Sequence, residues 1–413
     1  MQNSINTRTE KIQLIDNQED CCGCGACYNI CPNNSIIMKE DELGFIYPHI
    51  DKESCIKCGA CKHLCDNIRN QKNNIPIDTY VAITQNTDIK QSSSGGVFAS
   101  LAKSTIEVGG AVYGASIEII SGKLFPMHIR VDDINDLIKL QGSKYVQSFI
   151  GSTFEQVKHD LNNNKRVLFS GTPCQIAGLK SFLKADDDNL LCVDLICHGV
   201  PSAKFFQDYI SFLENKFKAK VLNFKFRDKS AGWGLTGKVI LKLNGGKIIE
   251  KQILVSESSY YQLFLDSASY RDSCYKCKYA NSNRSGDITI GDYWGIDIEH
   301  PELIKAGRIN KADGVSCLLV NTDRGVRYLN EYHKGLLLYD STFSKVQKHN
   351  RQLYEPSKMN NSRDIVFSIY KKEGYSGVER WFRRDQGVRY YVGKVKKIIP
   401  KKIKKYIKLI LNK

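Results

Sequence analysis

Cys21-Cys-Gly-Cys-Gly-Ala-Cys-Tyr-Asn-Ile-Cys31 and Cys55-Ile-Lys-Cys-Gly-Ala-Cys-Lys-His-Leu-Cys65 are two copies of one pattern, set 34 residues apart. Each is a Cys-x2-Cys-x2-Cys-x3-Cys run, and each contains Cys-Gly-Ala-Cys, at 24–27 and 58–61. Three cysteines at this spacing let one tight loop hold three corners of an iron–sulfur cube. A distant cysteine closes the site, and in paired arrangements the fourth cysteine of each run serves the other cube. The spacing therefore predicts two [4Fe–4S] centres. One is held by Cys21, Cys24, Cys27 and Cys65, the other by Cys55, Cys58, Cys61 and Cys31. Zinc favours Cys-x2-Cys pairs with a long spacer, which two complete runs fit poorly. Gly23, Gly25 and Gly59 allow backbone N–H groups to approach the sulfurs and tune potential. Cys22 is surplus to both sets.

This unit resembles a bacterial-type ferredoxin domain. Pro32 follows the first run, whereas Asp66 stands where the second would usually have proline. Residues 1–68 are assigned to it and the polar segment 69–79 to a linker. The whole chain has 413 residues and 15 cysteines, nine of them before residue 66. Cysteines at fixed short spacings in a reducing compartment point to metal or redox chemistry rather than disulfides. No run of about 18 uncharged apolar residues is present, and residues 1–20 lack an apolar signal core. The expected location is the cytoplasm, with the inner face of the membrane as the place a basic tail would reach.

From residue 80 the texture becomes α/β. A strand at 80–84 runs into Ser-Ser-Gly-Gly (93–96) and a helix at 97–108. A strand at 166–169 leads through Gly-Thr-Pro-Cys into a helix at 175–183. An apolar strand at 190–196 ends at Cys197-His-Gly, and 203–217 reads as a helix. Residues 239–243 and 247–254 flank Asn-Gly-Gly as a hairpin. Ser94, Gly95 and Gly96 open a helix whose N-terminus suits a diphosphate, although Ser-Gly-Gly is also an ordinary N-cap. Gly142, Ser143, Lys144, Tyr145 and Ser148 offer groups suited to phosphate or a flavin ring, or form a surface loop. Cys174 begins a helix after a strand and Cys197 ends a buried strand, where α/β proteins gather ligands, and Cys274 and Cys277 form a pair on a loop. Spacing alone leaves open a third cube or small buried hydrophobes.

Together these segments resemble the beta subunits of coenzyme F420 hydrogenases and dehydrogenases. The matching pieces are Ser-Ser-Gly-Gly (93–96), Gly-Ser-Lys-Tyr (142–145), Gly-Thr-Pro-Cys-Gln (171–175), Cys-His-Gly (197–199), Cys-x2-Cys (274–277) and Gly-Asp-Tyr-Trp-Gly (291–295). The resemblance runs from about residue 80 to 320, and the expected domains are a flavin-binding part at 80–200 and a part with the Cys-x2-Cys pair at 201–340. It implies FAD, a third [4Fe–4S] cluster on Cys174, Cys197, Cys274 and Cys277, and flavin contacts from residues 94–96 and 142–148. The expected fold class is α+β and α/β: a small ferredoxin-like domain, a larger mixed α/β flavin-binding domain, and a C-terminal region (341–413) ending in a basic helix. Related proteins occur in bacteria beside enzymes of surface-polysaccharide synthesis, so the acceptor is an F420-like deazaflavin or a saccharide-pathway intermediate.

The expected activity is electron passage between a one-electron carrier and an organic two-electron substrate through clusters and FAD. His198 and Asp292 are candidates for proton handling. An electron-relay subunit without a substrate site, and a binding protein stapled by clusters, are the alternatives. The chain carries +16, of which Arg389 and nine lysines in 389–413 supply +10. Val395, Ile399, Ile403, Tyr406, Ile407, Ile410 and Leu411 recur there at helical spacing. Residues 394–413 thus read as an amphipathic helix for an anionic membrane surface, or as a solvated terminal helix. Basic residues without a stacking platform argue against nucleic acid.

Overall fold

A computed structural model of the chain describes residues 14–70, 74–85 and 87–387. The cysteine-rich unit folds as a short helix, Ala26–Ile30, a hairpin of β1 (Ile36–Glu40) and β2 (Ile46–Ile50), and a helix, Ala60–Asn70. Each helix grows out of one cysteine run.

The body is built on one eight-stranded sheet. Its strands are β3 (Asp78–Thr84), β4 (Ala111–Ile120), β5 (Lys123–Val131), β6 (Val167–Gly171), β7 (Leu190–Leu195), β11 (Ile288–Asp292), β12 (Ser316–Val320) and β13 (Leu336–Asp340). A separate antiparallel sheet holds β8 (Ala219–Lys225), β9 (Gly237–Leu243) and β10 (Ile248–Ile253). The large sheet runs β13-β3-β12-β11-β7-β6-β4-β5. Its centre, β11-β7-β6-β4, is parallel, and the flanking pairs are antiparallel. β6 and the first five residues of β7 are buried throughout, as strands covered on both faces must be. Because β3 and β11 both oppose β12, β3 runs with the parallel set. The turns after β3, β6, β7 and β11 therefore emerge on one edge, where ligands collect.

The chain is mixed α/β with a ferredoxin-like front unit, but that unit is not suspended on a free linker. Ala26, Leu64 and Ile68 belong to the same core cluster as Phe154, Ile176 and Leu179 of the body. Phe45, from the loop before β2, packs with Phe205 and Phe367. Within the segment read as linker, Asn74 and Arg284 exchange backbone hydrogen bonds of 3.0 and 2.7 Å. The region past residue 340, unreadable in sequence, carries the helical segment Arg363–Gln386, kinked at Gly374, whose Tyr370 and Tyr375 pack on Phe205. Among the described residues no helix is long and apolar enough to cross a membrane. The basic segment 394–413 lies outside the described residues.

Candidate metal centre and its cavity

One cavity of about 820 Å³ opens along the C-terminal edge of the parallel strands. Its walls bring together Cys21, Cys24, Cys27 and Cys65 of the front unit with Cys174, Cys197, Cys274 and Cys277 of the body. A second, small hollow is lined by Cys31, Cys55, Cys58 and Cys61, the other crossed set. The two hollows adjoin, since Cys27 feels the charge of Cys21 and Cys65 and also that of Cys61. Cys58 is exposed, so the second hollow meets solvent.

The body's four thiols come from four places. Cys174 is the second residue of helix Pro173–Leu183, whose Thr172 and Gln175 form a capping box. Cys197 follows β7, and Cys274 lies in the short helix Asp272–Tyr275 with Cys277 just beyond. Cys274 faces Cys197 and Cys277, and Cys277 also faces Cys174. Burial pushes the Cys197, Cys274 and Cys277 thiols up, Cys197 to about 12, and Cys174 is raised by the neighbouring Cys22 thiol and then by burial. Buried thiols become thiolates when a metal supplies the positive charge. Among the described residues no three Cys, His, Asp or Glu side chains close on one point as a lone ion requires. A cube spreads its thiolates over separate irons, and four thiols on one wall are the donor type it takes. Cys22, surplus in the sequence, hydrogen-bonds through its thiol to Cys174 and Cys24, between the two inner sets.

The remaining walls hold both segments read as flavin-contacting. Ser143 N–H donates to Ser93 Oγ at 2.6 Å, joining the loop at 141–148 to the turn at 92–96. Gly95 is required by close packing, because a Cβ there would stand 2.3 Å from Ala82 O. Helix Val97–Glu107 begins without a side-chain cap, and Gly96, Val97 and Phe98 line the cavity, so the positive end of the helix lies at its wall. Lys144 Nζ donates to Gln141 O at 2.8 Å and to Lys139 O at 3.1 Å. Tyr145 stacks on Phe264, ring centroids 4.6 Å apart. Ser148 is bound into a buried network with His128 and Gln175.

Residues 164–342 match the family model for the C terminus of the coenzyme F420 hydrogenase/dehydrogenase beta subunit. This stretch of the body is similar to that family. Residues 8–70 match a 4Fe-4S dicluster domain. An uncharacterized ferredoxin of Methanocaldococcus jannaschii is 40% identical over 38 residues, 9% of this chain and 49% of that ferredoxin. The match thus spans about half the length of that relative. A chain of the F420-reducing [NiFe] hydrogenase complex from Methanosarcina barkeri is similar over 73% of this chain and 94% of its own, at 14% identity and a TM-score of 0.43. The family is one of hydrogenase/dehydrogenase subunits, and the dicluster domain makes the front unit an iron–sulfur protein.

In the body, His198 is exposed on the cavity wall; the protein packed around the ring lowers its pKa, and its carbonyl accepts from Ser357 Oγ at 2.6 Å. Asp292, the last residue of β11, has both oxygens engaged. Arg227 Nη1 donates to one at 2.6 Å and Trp233 Nε1 to the other at 3.0 Å. Asp292 thus orients Arg227, which is 8% exposed and lines the cavity, its Nη2 buried behind the wall beside Tyr145. Trp233 and Trp294 stack beside it, ring centroids 5.0 Å apart. Arg227, His128 and Arg271 were missed in the sequence: none lies in a motif, and each is brought in by a strand or loop remote along the chain.

Proposed function

We propose that the chain is an iron–sulfur flavoprotein oxidoreductase, passing electrons between an external one-electron carrier and an organic two-electron substrate. What carries this reading is the single cavity in which two four-thiol sets meet walls suited to a flavin, with the third set opening to solvent beside it. Its volume lies in the range of small-molecule sites, about 300–1,000 Å³. When bound, clusters relay single electrons and FAD exchanges hydride with an organic partner.

The residues divide the work by place. The set with exposed Cys58 is the entry, the Cys21 set the middle and the Cys174 set the inner station. The start of helix Val97–Glu107 and Ser93–Ser143 hold the flavin's phosphates, and Tyr145, backed by Phe264, lies against its ring. Arg227, on the lining, supplies positive charge to flavin or substrate, and Trp294 gives a planar substrate a face to stack on. His198 moves the proton. The substrate is an F420-like deazaflavin or a saccharide-pathway intermediate.

The test is anaerobic reduction of the loaded chain by a one-electron dye. In Cys58→Ala the flavin content stays at the wild-type level and flavin reduction by a partner carrier falls to background. Undiminished reduction contradicts the order of stations. Loaded clusters without flavin contradict the oxidoreductase reading. The segment 394–413 is proposed, from its sequence, to rest on an anionic membrane, each basic residue contributing roughly 1 kcal/mol before screening. Deleting it abolishes co-flotation with anionic liposomes; unchanged co-flotation rejects the contact.

A further inference from the structure

Arg271 and Arg284 are the largest fully buried side chains among the described residues. They are balanced differently. Arg284, 1% exposed, pairs with Asp194, 0% exposed, Nη2 to Oδ1 at 3.2 Å. Arg271 is 0% exposed, and no carboxylate among the described residues forms an ion pair with it. Its Nε donates to Cys21 O, Nη1 to Gln147 Oε1 at 3.2 Å and Nη2 to Ile46 O at 2.8 Å. Its guanidinium also lies 4.1 Å from the Tyr47 ring centroid. Every acceptor is neutral. The adjacent Asp272 is taken by Arg363, at 2.6 Å.

A guanidinium does not lose its proton inside a protein. Burying its charge without a counter-charge is strongly unfavourable, and neutral acceptors do not remove that cost. The fold nevertheless packs tightly around it. A Cβ on Gly23 would stand 3.1 Å from Arg271 Nη1 and 2.6 Å from Gln147 Nε2, so the first cysteine loop passes as close as glycine allows. Two thiol sets lie next to this cation. Cys21 accepts its Nε through the carbonyl, and the side chains of both Cys21 and Cys274 lie within reach of its charge. A [4Fe–4S] centre with four thiolate ligands is anionic in either oxidation state, more so when reduced.

We propose that Arg271 is the shared counter-cation of the two inner clusters, on Cys21/Cys24/Cys27/Cys65 and Cys174/Cys197/Cys274/Cys277. The inference rests on the cluster assignment above. Its charge favours the reduced, more negative form of both clusters and so raises their potentials relative to the outer cluster. None of its contacts is to Cys31, Cys55, Cys58 or Cys61. The same side chain fastens the front unit to the body, so docking and inward electron flow depend on one residue. Arg271 is a positioning and tuning residue and touches no substrate.

The experiment is a potentiometric titration of the full chain followed by EPR, after iron and sulfide have been determined. Arg271→Gln keeps hydrogen-bonding ability and removes the charge. The inner potentials fall by about a tenfold change in the reduced-to-oxidised ratio, ~59 mV for one electron, and the outer potential stays. Arg271→Lys restores most of the inner potentials. Gln147→Glu leaves Arg271 in place, supplies the missing carboxylate and lowers the same potentials. Full iron with unmoved inner potentials in Arg271→Gln, or an equal shift of all three clusters, overturns the proposal. Should Arg271→Gln lose iron, Gln147→Glu decides: a fall in the inner potentials supports the proposal, and unchanged potentials overturn it. Wild-type iron short of three clusters would instead remove the underlying assignment.

Discussion

At His128 the imidazole is 2% exposed and sits between two elements that carry the candidate site. Ser170 O can only accept, so Nε2 holds the proton and donates to it at 3.1 Å, and Nδ1 accepts from Ser148 Oγ at 2.9 Å. Burial lowers its pKa to about 4. An unfolded chain takes up the proton below about 6.5, and the folded one resists until about 4. The neutral ring's contribution is thus complete above 6.5 and lost as pH falls toward 4, worth about 3 kcal/mol in all. Denaturant unfolding from pH 7 to 4 should show this loss, and His128→Gln, which cannot titrate, should flatten it. An identical slope in the variant would reject the role. The eight cysteines of the front unit were legible because their chemistry is written in short spacings. His128, Arg227 and Arg271 were not, since their meaning comes from partners such as Ser148, Asp292 and Cys21, far away in the chain.

Helix Pro173–Leu183 joins the two halves of the cavity. Its capping box fixes Cys174 near one end, with Thr172 Oγ1 3.1 Å from the Cys174 sulfur. One turn later the helix passes under the front unit. A Cβ on Gly178 would lie 3.1 Å from Cys24 Sγ and 3.2 Å from Cys24 Cβ. Gly178→Ala should therefore overpack this contact and cost about 1–3 kcal/mol. Urea unfolding and iron retention would register it, with the Cys21 cluster lost before the outer one; full stability and iron would show that the contact gives freely. The strand–turn–helix around Cys174 was legible from an apolar run followed by Gly-Thr-Pro. The edge strand β5 was not read, and the helix Arg363–Gln386 carries no motif; both are set by packing against elements that sequence periodicity does not reveal.

Across the whole molecule, the front unit shares its core with the body through Ala26, Leu64, Ile68 and Phe45. A domain rooted at several points should unfold with its host. Far-UV dichroism and bleaching of cluster absorbance on heating should then give one coincident transition; two separated ones would mean the unit is independently stable. The sequence texture predicted a ferredoxin unit followed by an α/β body, because repeat and periodicity are local properties. How the first docks on the second was not legible, since it depends on Arg271, Gly178 and the backbone pairing of Asn74, which no local pattern announces. The central claim is a chain of three clusters leading to a flavin. Iron, acid-labile sulfide and flavin per chain after purification without oxygen test it most directly. About twelve irons, about twelve sulfides and about one flavin are expected, whereas about eight irons with no flavin would leave only the front unit and contradict the account of the body.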